Sequence, residues 1–168
     1  MEPIINKVSQ SGLMEINLED LYQKGDRVVF DMKNHLFQEL ILREKDFREF
    51  VKNENWSLYK DKFVAIICSS DAIVPTWAYM LLTVALEPFA KKIFFGTIEN
   101  LEIILFQESL DKLDIHPFSE QRVVIKGCSK VAVPVSAYVE LTRLLRPIAK
   151  SIMYGEPCST VPLYKKKI

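Results

Sequence analysis

The sequence predicts an α/β fold: a three-layer, Rossmann-like sandwich on a mostly parallel sheet, with an internally duplicated βαβ unit and an N-terminal hairpin. Three observations predict it. Val74 to Ile93 reads VPTWAYMLLTVALEPFAKKI and Val133 to Ile152 reads VPVSAYVELTRLLRPIAKSI, identical without a gap at 11 of 20 positions, where composition alone gives about one. Each copy follows a short apolar run closed by Cys-Ser, Cys68-Ser69 and Cys128-Ser129, and the first run, Phe63 to Ile67, is continuously apolar, as a strand buried on both faces is. Strand and helix signals alternate along most of the chain, which implies right-handed crossovers between parallel strands. The repeat spans 63–96 and 123–155 within one predicted α/β domain of residues 1–168.

Taken in order, residues 1–24 carry only scattered apolar positions, read as a short helix and irregular chain. Val28, Phe30 and Met32 alternate, Lys33-Asn34-His35 supplies turn chemistry, and Leu36 to Arg43 is a second apolar run, the pattern of a hairpin. Phe47, Phe50 and Val51 share one face of a short helix, and Phe63 to Ile67 is the first buried strand. Pro75 stands where a first-turn proline is tolerated, and Pro88 obstructs the helix it opens. Lys92 to Gly96 is a strand, Ile98 to Leu113 a helix with acids in its first turn, and Arg122 to Gly127 the next strand. The second copy then gives a helix from Pro134 to about Arg146 and a strand from Ser151 to Gly155.

Length and composition narrow the function. A chain of 168 residues buries about 70% of its unfolded surface in folding as one domain. With 22 basic and 22 acidic residues the net charge is zero, which argues against a nucleic-acid partner held by counterion release. Lys165-Lys166-Lys167 is the one cationic run and reads as a solvated end. No apolar stretch reaches the length of a membrane span, and MEPIINKVSQ has no secretory pattern, so the expected location is cytoplasmic. Three cysteines are an odd number, expected to be reduced there.

All three cysteines precede serine, at Cys68, Cys128 and Cys158. If the strands form one parallel sheet, the thiols gather at its carboxyl edge, where open α/β sheets place ligands and where helix N-termini lower thiol pKa. Three thiolates suit an iron-sulfur cluster or zinc, or a relay in which one thiol carries sulfur and another resolves it. Cys128 and Cys158, thirty residues apart within one copy, are the favoured pair. Against this stands cysteine's habit of acting as a small buried hydrophobe, and the absence of any CxxC. Lys126 and Lys130 flank Cys128 and would favour its thiolate.

Other chemistry is thinner. His35 and His116 read as surface residues, Asp71 as a cap for the helix that Pro75 opens, and Tyr79 and Tyr138 as packing. Five glycines and no phosphate-binding motif disfavour a nucleotide enzyme. The two repeated helices differ in their outward faces. Glu140, Arg143 and Arg146 of the second stand where the first has Leu81, Val84 and Glu87. Trp77, Met80, Leu81 and Val84 are therefore expected to be buried, by the N-terminal segment or by a subunit contact in a homo-oligomer.

The strings KGCSKVAVPVSAYVELTRLLRPIAKSIMYGEPCSTVPLYK, CSSDAIVPTWAYMLL and EPIINKVSQSGL together resemble an uncharacterised bacterial family, domain of unknown function 2480, over essentially the whole chain. The resemblance implies a soluble, cytoplasmic protein and carries over no catalytic residue. Two functions remain open at this point. One is an accessory factor in iron-sulfur or sulfur handling through the three thiols. The other is a non-catalytic module that binds a protein partner. Whether there is turnover is undecided between them.

Overall fold

The computed structural model describes residues 12–127, 130–156 and 158–167. It contains two mostly parallel sheets and four α-helices, and the chain divides into two compact units. Unit 2 is the continuous segment Lys24–Leu101, and unit 1 combines Met1–Gln23 with Glu102–Ile168.

Unit 2 holds strands β2 (Arg27–Asp31), β3 (Phe63–Ile67) and β4 (Lys92–Phe95), paired in that order and all parallel. Helices α1 (Glu44–Asn53) and α2 (Thr76–Leu86) form the crossovers and touch each other. Both therefore lie on one face of the sheet. Their apolar stripes meet it there: Phe47 from α1 and Ala78, Leu82 and Leu86 from α2 pack with Phe30, Val64 and Ile66. β3 is the middle strand, and Phe63, Val64, Ala65 and Ile66 are all buried, which is why its sequence does not alternate.

Unit 1 holds β1 (Leu13–Asn17), β5 (Arg122–Lys126), β6 (Ser151–Glu156) and β7 (Ser159–Lys165) in that order, parallel except for β7. Helix α3 (Ile98–Asp111) enters this unit and supplies Phe106 and Leu110. Helix α4 (Val135–Leu145) supplies Ala137, Leu141 and Leu145 to the same core, against Val123, Ile125 and Ile152. β5 is again the middle strand, with Val123, Val124 and Ile125 fully buried.

The pairings share one register. Phe63 lies opposite Arg27 and Lys92, and Arg122 lies opposite Leu13 and Ser151. α2 and α4 each have 11 residues and each follow a proline N-cap.

Three expectations are corrected. The single sheet is two sheets: β1 pairs with β5 in one, and β4 pairs with β3 in the other. Residues 13–17, expected to be helical or irregular, are that strand. The N-terminal hairpin is absent: β2 pairs in parallel with β3, and Leu36 to Arg43 contributes one antiparallel bridge, Phe37 to Ile41. The local cause is Asp31, whose side chain accepts the Lys33 N–H at 3.0 Å and caps a 3-10 turn over Met32–His35. That turn redirects the chain before a second strand can pair. β7, an unexpected strand, pairs antiparallel with β6, and near the end of β6 Gly155, opposite Thr160, takes a φ of 116° that favours glycine.

Candidate functional site

At the carboxyl edge of the unit 2 sheet, β2 ends at Asp31 directly opposite Ile67, the last residue of β3. The chain leaving β3 presents Cys68 and Ser69. Asp31 binds this exit: the Ser69 N–H donates to one carboxylate oxygen at 3.0 Å and the Ser69 hydroxyl to the other at 2.5 Å. Burial pushes the carboxyl pKa up, but these bonds and the Lys33 N–H hold it below the usual range. Asp31 is therefore an ionised clamp. Cys68 is half-buried, with Sγ 3.7 Å from the Ser70 carbonyl oxygen and 3.4 Å from its hydroxyl. Beside it Tyr79 meets Phe95 edge-on at 5.1 Å. Burial, and then the charge a Cys68 thiolate would carry, raise the Tyr79 pKa.

His35 is not the surface residue expected. Its ring stacks on Phe50 at 3.9 Å and on Phe30 at 5.0 Å, half-buried in an aromatic group that includes Trp56 and Tyr59. Burial pushes its pKa down, against the charges of Glu54 and Asp31. His116 is exposed, as read from sequence. Asp71 does not cap α2, whose N-cap is Pro75 with no side-chain hydrogen bond.

The carboxyl edge of the unit 1 sheet is charged. Lys126 Nζ lies 2.8 Å from Glu15 and 3.8 Å from Glu156, and the bond to Glu15, the larger cause, raises its pKa. Glu19 accepts the Lys130 N–H at 2.8 Å. Asn17, Glu19, Lys126, Gly127 and Glu156 line a polar hollow of about 100 Å³. The positive charge of Lys126 is thus shared with two carboxylates, which weakens its expected effect on a neighbouring thiol. Next to this lies an apolar hollow of about 400 Å³, with Ile125, Tyr138, Thr142, Tyr154 and Leu163 among its walls. Tyr138 and Tyr154 meet edge-on at 5.8 Å.

The thiols are distributed as follows. Cys68 directly follows β3 in unit 2, Cys158 is exposed between β6 and β7 in unit 1, and Cys128 lies outside the described residues. β3 neighbours β2 and β4, while β5 neighbours β1 and β6. The strands that lead to Cys68 and Cys128 are therefore not hydrogen-bonded neighbours. Among the described residues no group of three or more His, Cys, Asp or Glu side chains is placed to hold a metal ion.

The outward face of α2 is the other candidate. Met80 is 64% exposed and Val84 is 71% exposed, while Trp77 and Leu81 on its shoulder are half-buried. The single chain thus leaves Met80 and Val84 uncovered. Trp77 packs edge-on against Phe47 at 6.2 Å and lies under the Arg48 guanidinium at 5.2 Å. The hydroxyl of Thr83 donates to the Tyr79 carbonyl oxygen at 2.8 Å, so it adds little polarity outside. On α4 the corresponding surface carries an ion pair, Arg143 donating to Glu140 at 2.6 and 2.8 Å.

Sequence reasoning missed the Asp31–Ser69 clamp and the Glu15–Lys126–Glu156 group. Both join residues far apart in the chain, and only strand register brings them together.

Two units, each built on a mostly parallel sheet with helices packed against it, define a mixed α/β protein whose strand ends carry polar groups and whose α2 surface is apolar. The chain belongs to the family described as protein of unknown function, DUF2480, whose model matches residues 2–166. No curated protein and no solved structure matches it. No helix among the described residues is long and apolar enough to cross a membrane.

Proposed function

We propose that this chain is a cytoplasmic, non-catalytic protein-interaction module that engages a partner's apolar helical face through α2. One observation carries the reading. Thr76 to Leu86 contains no charged residue and leaves Met80 and Val84 in solvent. Contiguous exposed apolar surface of this kind marks binding sites in soluble proteins, and an amphipathic helix reads its partner through i, i+3, i+4 anchors. The test places a photo-crosslinking residue at position 84, with position 143 on α4 as control. The expected result is a discrete protein adduct from position 84 that excess unlabelled chain competes away. No adduct from position 84, together with stoichiometric iron, zinc or sulfane sulfur in anaerobically purified protein, would overturn the reading.

That second outcome would favour thiol chemistry in iron-sulfur or sulfur handling by Cys68, Cys128 and Cys158, with Cys128 and Cys158 as the minimum unit. What supports it is accessibility: Cys158 is exposed and Cys68 half-buried at a sheet's carboxyl edge.

The same proposal takes the two units as copies of one βαβ-based ancestor in a Rossmann-like arrangement. Beyond the shared registers, Asn17 and Asp31 end β1 and β2 with the same dihedrals, φ −98° and ψ 113°, and each caps a 3-10 turn. Asp61 and Glu120, just before the middle strands, both have positive φ, 59° and 56°.

A further inference from the structure

We infer that the occupant of the α2 face is a second copy of this chain, packed as an antiparallel α2–α2 pair about a two-fold axis. This rests on the proposed function, and names the partner and its register.

The argument starts from the distribution of charge along the helix. Its centre has none, its N-terminal end carries Arg48 of α1 above Trp77, and its C-terminal end carries the exposed Glu87 as C-cap. Arg48 is ion-paired with Glu44 through Nε, so the end over Trp77 offers its remaining guanidinium N–H donors rather than a net charge. A surface that is apolar in the middle, with these donors at one end and the Glu87 carboxylate at the other, is complementary to itself when reversed. An isologous interface uses this property, because residue i meets j while j meets i. With the axis at Leu82, Met80 of one protomer lies level with Val84 of its partner. Trp77 and Arg48 then lie level with the second copy's Glu87. A helix of 11 residues is about 16 Å long, so all these contacts fall within one helix length.

Glu87 supplies an independent reason. An acid at a helix C-terminus opposes the macrodipole, which favours cations there. α4 follows the favourable rule with Arg146 at the same cap, where it stacks on Tyr164 at 3.9 Å. In the antiparallel pair Glu87 meets the N-terminal end of the other α2 and its Arg48, which reverses the unfavourable placement. Arg48 uses Nε on Glu44 at 2.9 Å, and its remaining guanidinium N–H groups supply the contact across the axis. Ile73, three residues before α2, is 94% exposed, and exposed Leu58 belongs to a 3-10 turn that touches α2. A stable interface needs more than one helix face, on the order of 1,000 Å² in total.

The experiment is sedimentation velocity on the full chain across concentration, with circular dichroism confirming that each variant folds. The wild type is expected to be dimeric, and Val84→Glu monomeric. Arg48→Glu and Glu87→Arg should each raise the dimer Kd by roughly tenfold or more, and the double variant Arg48→Glu/Glu87→Arg should recover most of that loss. A wild type that stays monomeric at high concentration overturns the inference. So does a dimer that Val84→Glu dissociates while the charge exchange leaves Kd unchanged, because the face would then be an interface in some other orientation. In either case a competed adduct from position 84 to a different protein leaves the proposed function standing, whereas loss of that adduct removes both.

Discussion

Asp31 at the end of β2 holds Ser69 beyond the end of β3 by both its backbone N–H and its hydroxyl. The carboxylate is where a strand end, a 3-10 turn and the exit toward Cys68 meet, so Asp31→Ala removes three hydrogen bonds at once. Donors at this partly exposed site regain water, and the expected loss is about 1–3 kcal/mol in urea unfolding. Asp31→Asn keeps one acceptor, as Asn17 does at the end of β1, and should cost less. Equal costs for the two variants would show that the clamp does not stabilise the fold.

Acid should weaken unit 2 through His35. Its folded pKa lies below the ordinary value of 6.5 because burial against Phe50 and Phe30 disfavours the imidazolium. The unfolded chain therefore binds the extra proton first. The contribution to stability is fully present above pH 6.5 and is lost as pH falls from there through the folded pKa. Asp31, whose pKa is lowered from 3.8, loses its contribution only at more acidic pH. Thermal unfolding followed from pH 7.5 to 5 should show a falling Tm in wild type and a flatter profile in His35→Phe. Parallel profiles would count against the assignment.

Gly155 should not accept a side chain. A Cβ there would lie 2.7 Å from the Ser159 carbonyl oxygen, and φ is 116°. Gly155→Ala must move backbone at the turn into β7, at a cost of roughly 1–3 kcal/mol. Amide exchange should accelerate in β7 before it does in β5. Unchanged exchange in β7 would mean that the turn adapts freely.

The described thiols should separate by rate. Cys158 is exposed and Cys68 half-buried beside Ser70. In a Cys128→Ser background, an aromatic disulfide reagent should react in two phases, the faster by roughly tenfold. Cys158→Ser should delete the fast phase. Survival of the fast phase in that variant would reverse the ranking.

The middle strands and repeated helices were legible because their signals are local. Phe63 to Ile67 is apolar throughout, as a strand covered on both faces must be, and the proline-led helices begin within a residue of where Pro75 and Pro134 place them. Strand partnership was not legible. β1 is an edge strand of five residues, and nothing within LMEIN states that its partner begins at Arg122. β7 was hidden by Pro162, which sits at an irregularity in the ladder opposite Met153, where an edge strand tolerates proline. His35 was misread because Lys-Asn-His is turn chemistry, and only the fold brings Phe50 against its ring. The contrast between Leu81, Val84 and Glu87 and their charged counterparts was legible from the two copies alone. It correctly marked α2 as unusual, although Met80 and Val84 proved exposed within the chain.

The division of unit 1 around unit 2 sets the order in which a growing chain can mature. Unit 2 is one uninterrupted stretch ending at Leu101, so all its strand partners have been made by then. β1 is made first, yet Leu13 pairs with Arg122, 109 residues later, and β6 and β7 follow only afterwards. On the ribosome, at some 5–20 residues per second, β1 spends several seconds without its partner strand. Its brevity, and the acid at Glu15 that later meets Lys126, guard a nascent strand against pairing with the wrong edge.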